Sequence, residues 1–277
     1  MNTIIKKVYR AGFNALVRQP EKSKSLLVVD EPLWRDISSH QGVWNAMVSY
    51  KNGVQGAYIR AGYGLAPDTK FAVNYHMAEL AYLYRTSYWA VYPNQDMITQ
   101  LELWYKAHPV LDRIPRVMDV EVQGGKSASY IGAFVEEFAE AIYTRDLVWP
   151  IIYSRANLIN SWLANWTTAN LNRFYYILAQ YLYSGAEHPG PVTLPNRVAS
   201  NRVILHQTSD HKPDFEGEAD SLSIDWNRGV NLWKTHSGMR EFIDYQWPAT
   251  ETGLTLEQRV EALEYQVKEL RAYHENE

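Results

Sequence analysis

Residues 31–235 alternate short β-rich runs with helical stretches, and this alternation limits the folds open to the chain more than any other feature. Eight runs rich in β-branched and aromatic residues are candidate strands, at 33–38, 56–62, 81–87, 116–121, 150–155, 175–181, 203–209 and 222–227. Helical patterns lie between several of them, at 71–82, 95–107, 128–146 and 156–165. This order predicts an α/β fold, a TIM-like (β/α) barrel with parallel strands rather than an open sheet. The last two intervals are short, so we expect reduced helices after the last strands.

The length of the chain fits one such barrel with short extensions. The chain has 277 residues, and a barrel of this kind takes about 250. We place the barrel domain at 31–235. Residues 1–30 are mildly basic and lack a strong pattern, so we interpret them as an N-terminal extension that packs on the barrel. Residues 236–254 contain two glycines and a proline, which predicts a linker.

Residues 255–277 carry the pattern of a short coiled-coil helix. Thr255 and Gln258 are spaced as the capping box of a helix start. Apolar residues then alternate at spacings of four and three, as in a heptad seam: Leu256, Val260, Leu263, Val267 and Leu270. Valine at one core position and leucine at the other favours parallel dimers, so we expect a homodimer through this seam. The alternative is an amphipathic helix that docks on the barrel.

Composition excludes several classes of function. The 27 basic and 31 acidic residues give a net charge of −4, which argues against nucleic-acid binding through bulk positive charge. Cysteine is absent, which excludes disulfides, thiolate metal sites and a cysteine nucleophile. The sequence has no His-Glu-x-x-His motif and no phosphate-binding loop, so we expect no metal and no cofactor. No apolar run reaches the roughly 18 residues that a membrane span needs.

Four acidic residues lie at the ends of predicted strands. Asp36 ends the first strand, Asp119 and Glu121 end the fourth, and Asp225 ends the eighth. Catalytic groups of α/β barrels cluster at the carboxyl ends of the strands. An acidic side chain within an apolar run is costly to bury without a partner or a task. We therefore expect these four residues to converge on one catalytic site.

The pair Asp119 and Glu121 is the most informative of these features. Side chains two residues apart on a strand point to the same face, with their Cα atoms about 6.5–7 Å apart. Two carboxylates at that distance repel each other, so one tends to keep its proton at neutral pH. Glycoside hydrolysis uses a protonated acid beside an ionised carboxylate. By itself, however, an Asp-x-Glu sequence is a weak signal.

An ordered set of segments makes the signal specific. The segments are DISSHQG (36–42), YIRAGYG (58–64), Asp68 with Phe71 and Asn74, YRTSYWAVYPN (84–94), VMDVE (117–121), PIIYSR (150–155), ILAQY (177–181), LHQTSD (205–210) and SIDWNR (223–228). Together they resemble the family 25 glycoside hydrolases, the muramidase-type lysozymes of bacteria, phages and some fungi. The resemblance covers 31–235, nearly the whole domain length typical of that family.

The resemblance implies a role for each acidic residue. Glu121 matches the catalytic acid/base, and Asp119 matches the carboxylate that stabilises the cationic intermediate. Asp36 and Asp225 match two further acidic positions of the active site. Such enzymes cut the β-1,4 bond between N-acetylmuramic acid and N-acetylglucosamine in bacterial peptidoglycan. We favour a substrate-assisted route, in which the 2-acetamido group of the substrate attacks and Asp119 stabilises an oxazolinium-like intermediate.

Aromatic and amide side chains are the candidate substrate contacts. The resemblance places a tyrosine, an aromatic residue and an amide along the sugar groove, and a Tyr-Trp run follows the third predicted strand. The candidates are Tyr63, Tyr84, Tyr88, Trp89, Tyr181 and Gln207. The chain departs from the usual family pattern at Ile177 or Leu178, where members often carry tryptophan. Arg85 and Thr86 replace the more common histidine and aromatic residue, which leaves details of substrate preference open.

Two alternatives compete with a muramidase. Chitinases of the other Asp-x-Glu barrel type carry a longer acidic ladder, and Val117 occupies the position where that ladder would continue. The other alternative is a glycan-binding or virion structural module that uses the same barrel without catalysis or in addition to it. Retention of all four acidic residues argues against loss of catalysis.

The sequence also suggests where the protein acts. The N-terminal residues offer no continuous apolar run of the length that a signal peptide needs. No wall-binding repeat follows the barrel. We therefore expect a phage-encoded protein that is made in the host cytoplasm, is released by a holin or carried in a virion, and acts on the bacterial cell wall.

Overall fold

The computed structural model describes residues 31–181, 186–188, 190–220 and 223–246. The predicted N-terminal extension, most of the predicted linker and the predicted heptad helix lie outside the described residues. The strands are β1 Leu33–Ile37, β2 Val54–Tyr63, β3 Ala66–Pro67, β4 Tyr84–Ala90, β5 Val117–Asp119, β6 Ile151–Ser154, β7 Tyr176–Ala179, β8 Val203–Pro213 and β9 Ser223–Gly229. The helices are α1 Ala46–Lys51, α2 Phe71–Leu80, α3 Met97–Ala107, α4 Ala128–Asp146, α5 Ala156–Trp162, α6 Thr168–Leu171 and α7 His236–Gln246.

Eight of these strands close into a barrel, as predicted. They pair in the order β1-β9-β8-β7-β6-β5-β4-β2, and β2 pairs with β1 to complete the ring. β3 adds a two-residue antiparallel return on β2. β9 runs antiparallel to both of its neighbours, so the prediction of an all-parallel barrel is wrong for the last strand. Residues 214–222 are too few for the crossover of a dozen or more residues that parallel pairing needs.

The helices follow the prediction up to β6 and then become sparse. The predicted helices between strands are found as α2, α3, α4 and α5. Between β7 and β8 the described residues form a 3₁₀ turn at Ser200–Arg202 and no α-helix, which agrees with the expected reduction. Within the described ranges, no helix is long and apolar enough to cross a membrane.

The first half of the predicted linker is instead a helix that packs on the barrel. Met239, Phe242 and Ile243 are buried in α7, and their spacing of three and four residues puts them on one helix face. Trp34 at the start of β1 donates a hydrogen bond from Nε1 to Met239 Sδ at 3.2 Å. The glycine at 238 suggested a flexible segment, but this apolar face anchors 236–246 beneath the amino ends of the strands.

Side chains inside the barrel form two layers. The lower layer is apolar and buried, with Trp34, Val117, Ile151, Ile177 and Leu205. Two residues further along each of these strands, the same face carries Asp36, Asp119, Tyr153, Ala179 and Gln207, because strand side chains alternate between faces with a period of two. The apolar layer therefore supports a polar layer at the carboxyl end of the parallel strands, which we call the mouth of the barrel.

A buried ion pair holds the loop between β8 and β9 against the outside of the barrel. Arg35 points outward from β1, and its Nε and Nη2 atoms pair with the two Glu218 carboxylate oxygens at 2.7 and 3.1 Å. Ser49 on α1 also donates to Glu218, and Trp44 Nε1 donates to Ser49 Oγ at 2.8 Å. The side chains of Arg35 and Glu218 are fully buried. These contacts fix the part of the loop around Glu218 against β1 and α1.

Ser49→Ala is expected to lower the free energy of unfolding by about 2 kcal/mol, because it removes a buried hydrogen bond to a charged group and leaves Trp44 Nε1 without its acceptor. Urea denaturation measures the change. Ser161→Ala, at an exposed position on α5, is the matched control and should stay within about 0.5 kcal/mol of the wild type. Equal effects of the two substitutions would show that the network around Glu218 does not stabilise the fold.

Candidate active site

The four predicted carboxylates converge at the mouth of the barrel. Asp36 on β1 and Asp225 on β9 are direct Cα partners in the register of these two strands. Asp119 is the last residue of β5, and Glu121 follows two residues later. The negative charges of Glu121 and Asp36 act on Asp119, and those of Asp36 and Glu121 act on Asp225. The site therefore concentrates four acidic groups in one volume.

The antiparallel direction of β9 explains how Asp225 reaches this site. Asp225 is the third residue of its strand, a position that would lie near the bottom of a parallel barrel. Because β9 runs in the opposite direction, its first half lies at the mouth. Gln207 on β8 then donates from Nε2 to Asp225 Oδ2 at 2.9 Å. Tyr153 on β6 donates in turn to Gln207 Oε1, so Asp225 is held in place across three strands.

The carboxyl groups at the mouth bind their protons unusually tightly. Burial raises the pKa of Asp36 to about 7, against the opposing effects of a hydrogen bond from Tyr88 and the charge of Arg60. Burial, then the negative charges of Glu121 and Asp36, raise the pKa of Asp119 well above its usual range. Burial and the charge of Asp36 do the same for Asp225. The site therefore holds protons near neutral pH, as catalysis by a general acid requires.

Glu121 differs from the other three because a cation contacts it. Burial raises its pKa, and the charge and hydrogen bond of Arg155 oppose that effect. Arg155 Nε lies 2.9 Å from Glu121 Oε1, and its Nη2 donates to the Tyr181 hydroxyl at 2.6 Å. Arg155 follows β6 directly, and Tyr181 lies two residues beyond the end of β7. Arg155 and Tyr181 therefore both lie at the mouth, because β6 and β7 are neighbouring parallel strands.

Arg155→Met is expected to shift the alkaline limb of the pH profile of kcat/KM to higher pH. Glu121 serves as an acid only while it is protonated, and Arg155 lowers its pKa. Loss of the guanidinium raises that pKa, so the protonated form persists to higher pH. The profile of kcat/KM reports the free enzyme and so measures this shift. Arg240→Met on the exposed side of α7 is the control. A limb that stays in place or moves to lower pH would contradict the assignment.

Asp119 offers an acceptor that the protein does not use. Its Oδ1 atom is buried and has no hydrogen-bond partner among the described residues. Asp36, Asp225 and Glu121 each contact a donor: Tyr88, Gln207 and Arg155 respectively. A buried carboxylate oxygen without a donor is unfavourable unless a ligand supplies one. The arrangement therefore leaves one acceptor for an N–H or O–H group of a substrate.

Three of the six predicted substrate contacts lie beside the carboxylates, and a fourth lies at the rim. As described above, Tyr88 contacts Asp36, Tyr181 contacts Arg155, and Gln207 contacts Asp225. Tyr63 ends β2 and is 40% exposed. Its ring centroid lies 6.4 Å from that of Tyr92, so the two rings form one rim of the mouth.

The structure does not bring Tyr84 and Trp89 to the site. The predicted third strand 81–87 begins three residues later, after Tyr82 adopts a left-handed backbone with φ of 56°. Tyr84 is thus the first residue of β4, and Ala90 at the other end of the strand pairs with Asp119. Six residues of strand separate them by about 20 Å. Trp89 is fully buried on the outer face against Trp104 of α3. The structure therefore places neither Tyr84 nor Trp89 at the mouth, and Tyr88 takes the interior position.

Sequence reasoning missed several polar residues of the mouth. Arg155 and Tyr153 were quoted within one segment but received no role, although alternation along β6 predicts that Tyr153 faces inward. Tyr58 donates to Asn227 Oδ1 at 2.6 Å across the barrel interior. Arg60 pairs with Asp68 at 2.7 Å, and its positive charge also lowers the pKa of Asp36.

Among the described residues, no three acidic or histidine side chains are grouped so as to hold a metal ion.

Acidic groups of raised pKa, clustered with tyrosine and amide side chains at the mouth of a barrel, define the site of a glycoside hydrolase. The sequence profile described as glycosyl hydrolases family 25 matches residues 35–213. The chain belongs to this family.

Solved structures share the fold over most of the chain. The bacterial lysozyme from Streptomyces coelicolor is 20% identical with a TM-score of 0.65, and the match covers 80% of this chain and 98% of that one. A family GH25 lysozyme from Aspergillus fumigatus is 21% identical with a TM-score of 0.61, covering 77% and 99%. A family 25 glycosyl hydrolase from Bacillus anthracis is 14% identical with a TM-score of 0.63, covering 80% and 98%. No curated protein matches the sequence.

Proposed function

We propose that the protein is an N-acetylmuramidase that hydrolyses the β-1,4 bond between N-acetylmuramic acid and N-acetylglucosamine in bacterial peptidoglycan. Membership of family 25 supports the class of reaction. The observation that carries the assignment of residues is the pair at the end of β5. Glu121 has a raised pKa, and Asp119 has a buried, unpaired acceptor two residues away.

Glu121 acts first as the general acid. Its proton passes to the glycosidic oxygen as the bond to the anomeric carbon breaks, and the N-acetylglucosamine side leaves as an alcohol. Burial keeps the proton on Glu121 at a pH where an exposed glutamate would have lost it. In the second step, the Glu121 carboxylate takes a proton from water as that water attacks the anomeric carbon.

Asp119 stabilises the charge that develops between these two steps. The 2-acetamido oxygen of the muramic unit attacks the anomeric carbon and forms an oxazolinium-like ring, while the acetamido N–H donates to Asp119 Oδ1. An ionised Asp119 then faces the positive charge of that ring. Fixed groups that face developing charge are worth about 3–4 kcal/mol in comparable sites. The donation from substrate also favours the ionised form of Asp119 at the moment when that form is needed.

Asp36 and Asp225 complete the polar wall that faces the sugar. Their raised pKa values allow each to donate a hydrogen bond to a sugar hydroxyl near neutral pH, as well as to accept one. Tyr88 and Gln207 fix their orientations. Tyr181 and the rim pair Tyr63 and Tyr92 supply flat surfaces against which sugar rings pack.

Mass spectrometry of purified peptidoglycan after digestion tests the proposal. New reducing ends on N-acetylmuramic acid, absent with the Glu121→Gln variant, are the expected result. Reducing ends on N-acetylglucosamine would assign the enzyme to the other bond of the glycan strand. Wall binding without products from several wall types would favour the glycan-binding or structural module instead.

The self-association and the phage origin expected from the sequence stay predictions. The seam that would carry a homodimer begins at residue 256, outside the described residues.

A further inference from the structure

A cavity of mixed polar and apolar lining opens beside Glu121 between the carboxyl ends of β6 and β7. Its volume is about 290 Å³. It is lined by Arg155, Ala156, Asn157, Ala179, Gln180, Tyr181 and Thr193. Arg155 and Tyr181 are shared with the candidate active site, so whatever fills this cavity lies next to the proposed acid.

The lining suits a negatively charged group. Among the lining residues that the structure describes, Arg155 is the one charged side chain, and it is 35% exposed. Its guanidinium lies 5.2 Å from the centre of the Tyr181 ring and donates to the Tyr181 hydroxyl, so Tyr181 positions it at the cavity wall. The other polar side chains among these described residues are neutral amides and hydroxyls, which bring no negative charge of their own. A planar guanidinium presents paired donors that match the two oxygens of a carboxylate.

The contact between Arg155 and Glu121 conflicts with the proposed role of Glu121. A general acid must carry a proton, whereas an arginine at 2.9 Å favours the ionised carboxylate. The contact is partly exposed, with 35% of the Arg155 side chain and 27% of the Glu121 side chain accessible, so another anion can compete for the guanidinium. An anion in the cavity would leave Glu121 without its cation and favour the protonated acid.

We propose that the cavity binds a carboxylate that the substrate carries on the lactyl ether of its muramic unit, and that Arg155 turns from Glu121 to this carboxylate. This inference rests on the proposed function and deepens it. The carboxylate is either the lactyl group's own, in strands without stem peptides, or a carboxylate of the stem peptide attached there. In both cases an acidic substituent near the scissile bond draws Arg155 away from Glu121 and so favours the protonated form of Glu121. A neutral glycan draws Arg155 away less well.

Rates on paired substrates test the proposal. One pair is peptide-free glycan strands with the lactyl carboxyl free or converted to its methylamide. The other pair is peptide-bearing strands with the stem carboxyls free or amidated. We expect kcat/KM to be about tenfold higher for the acidic member of at least one pair, which also identifies the source of the carboxylate. Arg155→Met should remove the difference, and the surface control Arg240→Met should keep it. Equal rates within both pairs, or a difference that survives in Arg155→Met, would overturn the proposal.

Binding separates this proposal from the proposed function. Glu121→Gln removes the negative charge of Glu121 beside Arg155 and the proposed acid together, so calorimetry with this variant measures binding at the cavity without turnover. It should bind the acidic strands about tenfold more tightly than their neutral counterparts, and Glu121→Gln/Arg155→Met should bind both alike. If the wild type hydrolyses no strand, the proposed function fails, and the calorimetric difference still decides whether the cavity holds a carboxylate. Circular dichroism confirms that each variant is folded.

Discussion

Glu121→Gln is expected to lower kcat on peptidoglycan by about 10³- to 10⁴-fold, the contribution of a well-placed general acid. Glutamine keeps the shape of the side chain but has no proton to give to the glycosidic oxygen. The departing sugar must then leave as an alkoxide, which raises the barrier by about 4–5.5 kcal/mol. The release of reducing ends under saturating substrate measures the change. Thermal unfolding and the affinity for glycan strands with neutral substituents should stay near those of the wild type.

The control for this variant is Glu137→Gln, at an exposed position on α4. It makes the same chemical change far from the mouth and should leave kcat unchanged. Retention of more than a tenth of the wild-type rate in Glu121→Gln would show that another group protonates the leaving oxygen. Asp119 and Asp36 would be the next candidates, because burial raises the pKa of both.

The barrel and its carboxylates could be predicted because their signals are local. Each β-rich run is short and contiguous, and the carboxyl ends of parallel strands meet at the same edge. It was therefore enough to predict their own strands correctly in order to place Asp36, Asp119 and Glu121 at the mouth. Asp225 reached the mouth for a different reason. Its strand runs antiparallel, and a residue early in that strand takes the place of one late in a parallel strand.

The errors at Tyr84 and Trp89 arose because the backbone at one residue decides where β4 begins. The predicted third strand ended at residue 87, whereas β4 runs from Tyr84 to Ala90, so Tyr84 was placed too near the mouth and Trp89 beyond the strand. Side chains along β4 alternate between the two faces of the strand. Tyr88 then points into the barrel, and Trp89 points outward to α3. The cause is the backbone at Tyr82, whose positive φ is uncommon for a bulky residue and has no clear sequence signal.

The contact between Glu121 and Arg155 was not predicted because it joins residues 34 positions apart. Both follow adjacent parallel strands, so the topology alone brings them together once the barrel is known. Helix α7 was missed for the opposite reason. Its apolar residues at 239, 242 and 243 were visible, but the neighbouring glycines and proline were given more weight.

Asp119→Asn is expected to lower kcat by about 10²- to 10³-fold, with a smaller effect on KM. Asparagine removes the negative charge that faces the oxazolinium-like ring, and that charge matters more in the transition state than in the bound substrate. It also removes one member of the crowded acidic group, so the protein should be no less stable than the wild type. The rate of reducing-end release and the midpoint of urea unfolding test both statements.

A modified substrate shows whether Asp119 acts through the acetamido group. Strands whose muramic units lack the N-acetyl group cannot form the oxazolinium-like ring, so the wild type should cut them slowly. If Asp119 works by orienting that group, Asp119→Asn should add little further loss on these strands, because the two changes remove the same interaction. Independent losses that multiply would instead show that Asp119 acts directly on the sugar carbon. Asp244→Asn, at an exposed position on α7, is the control and should behave as the wild type on both substrates.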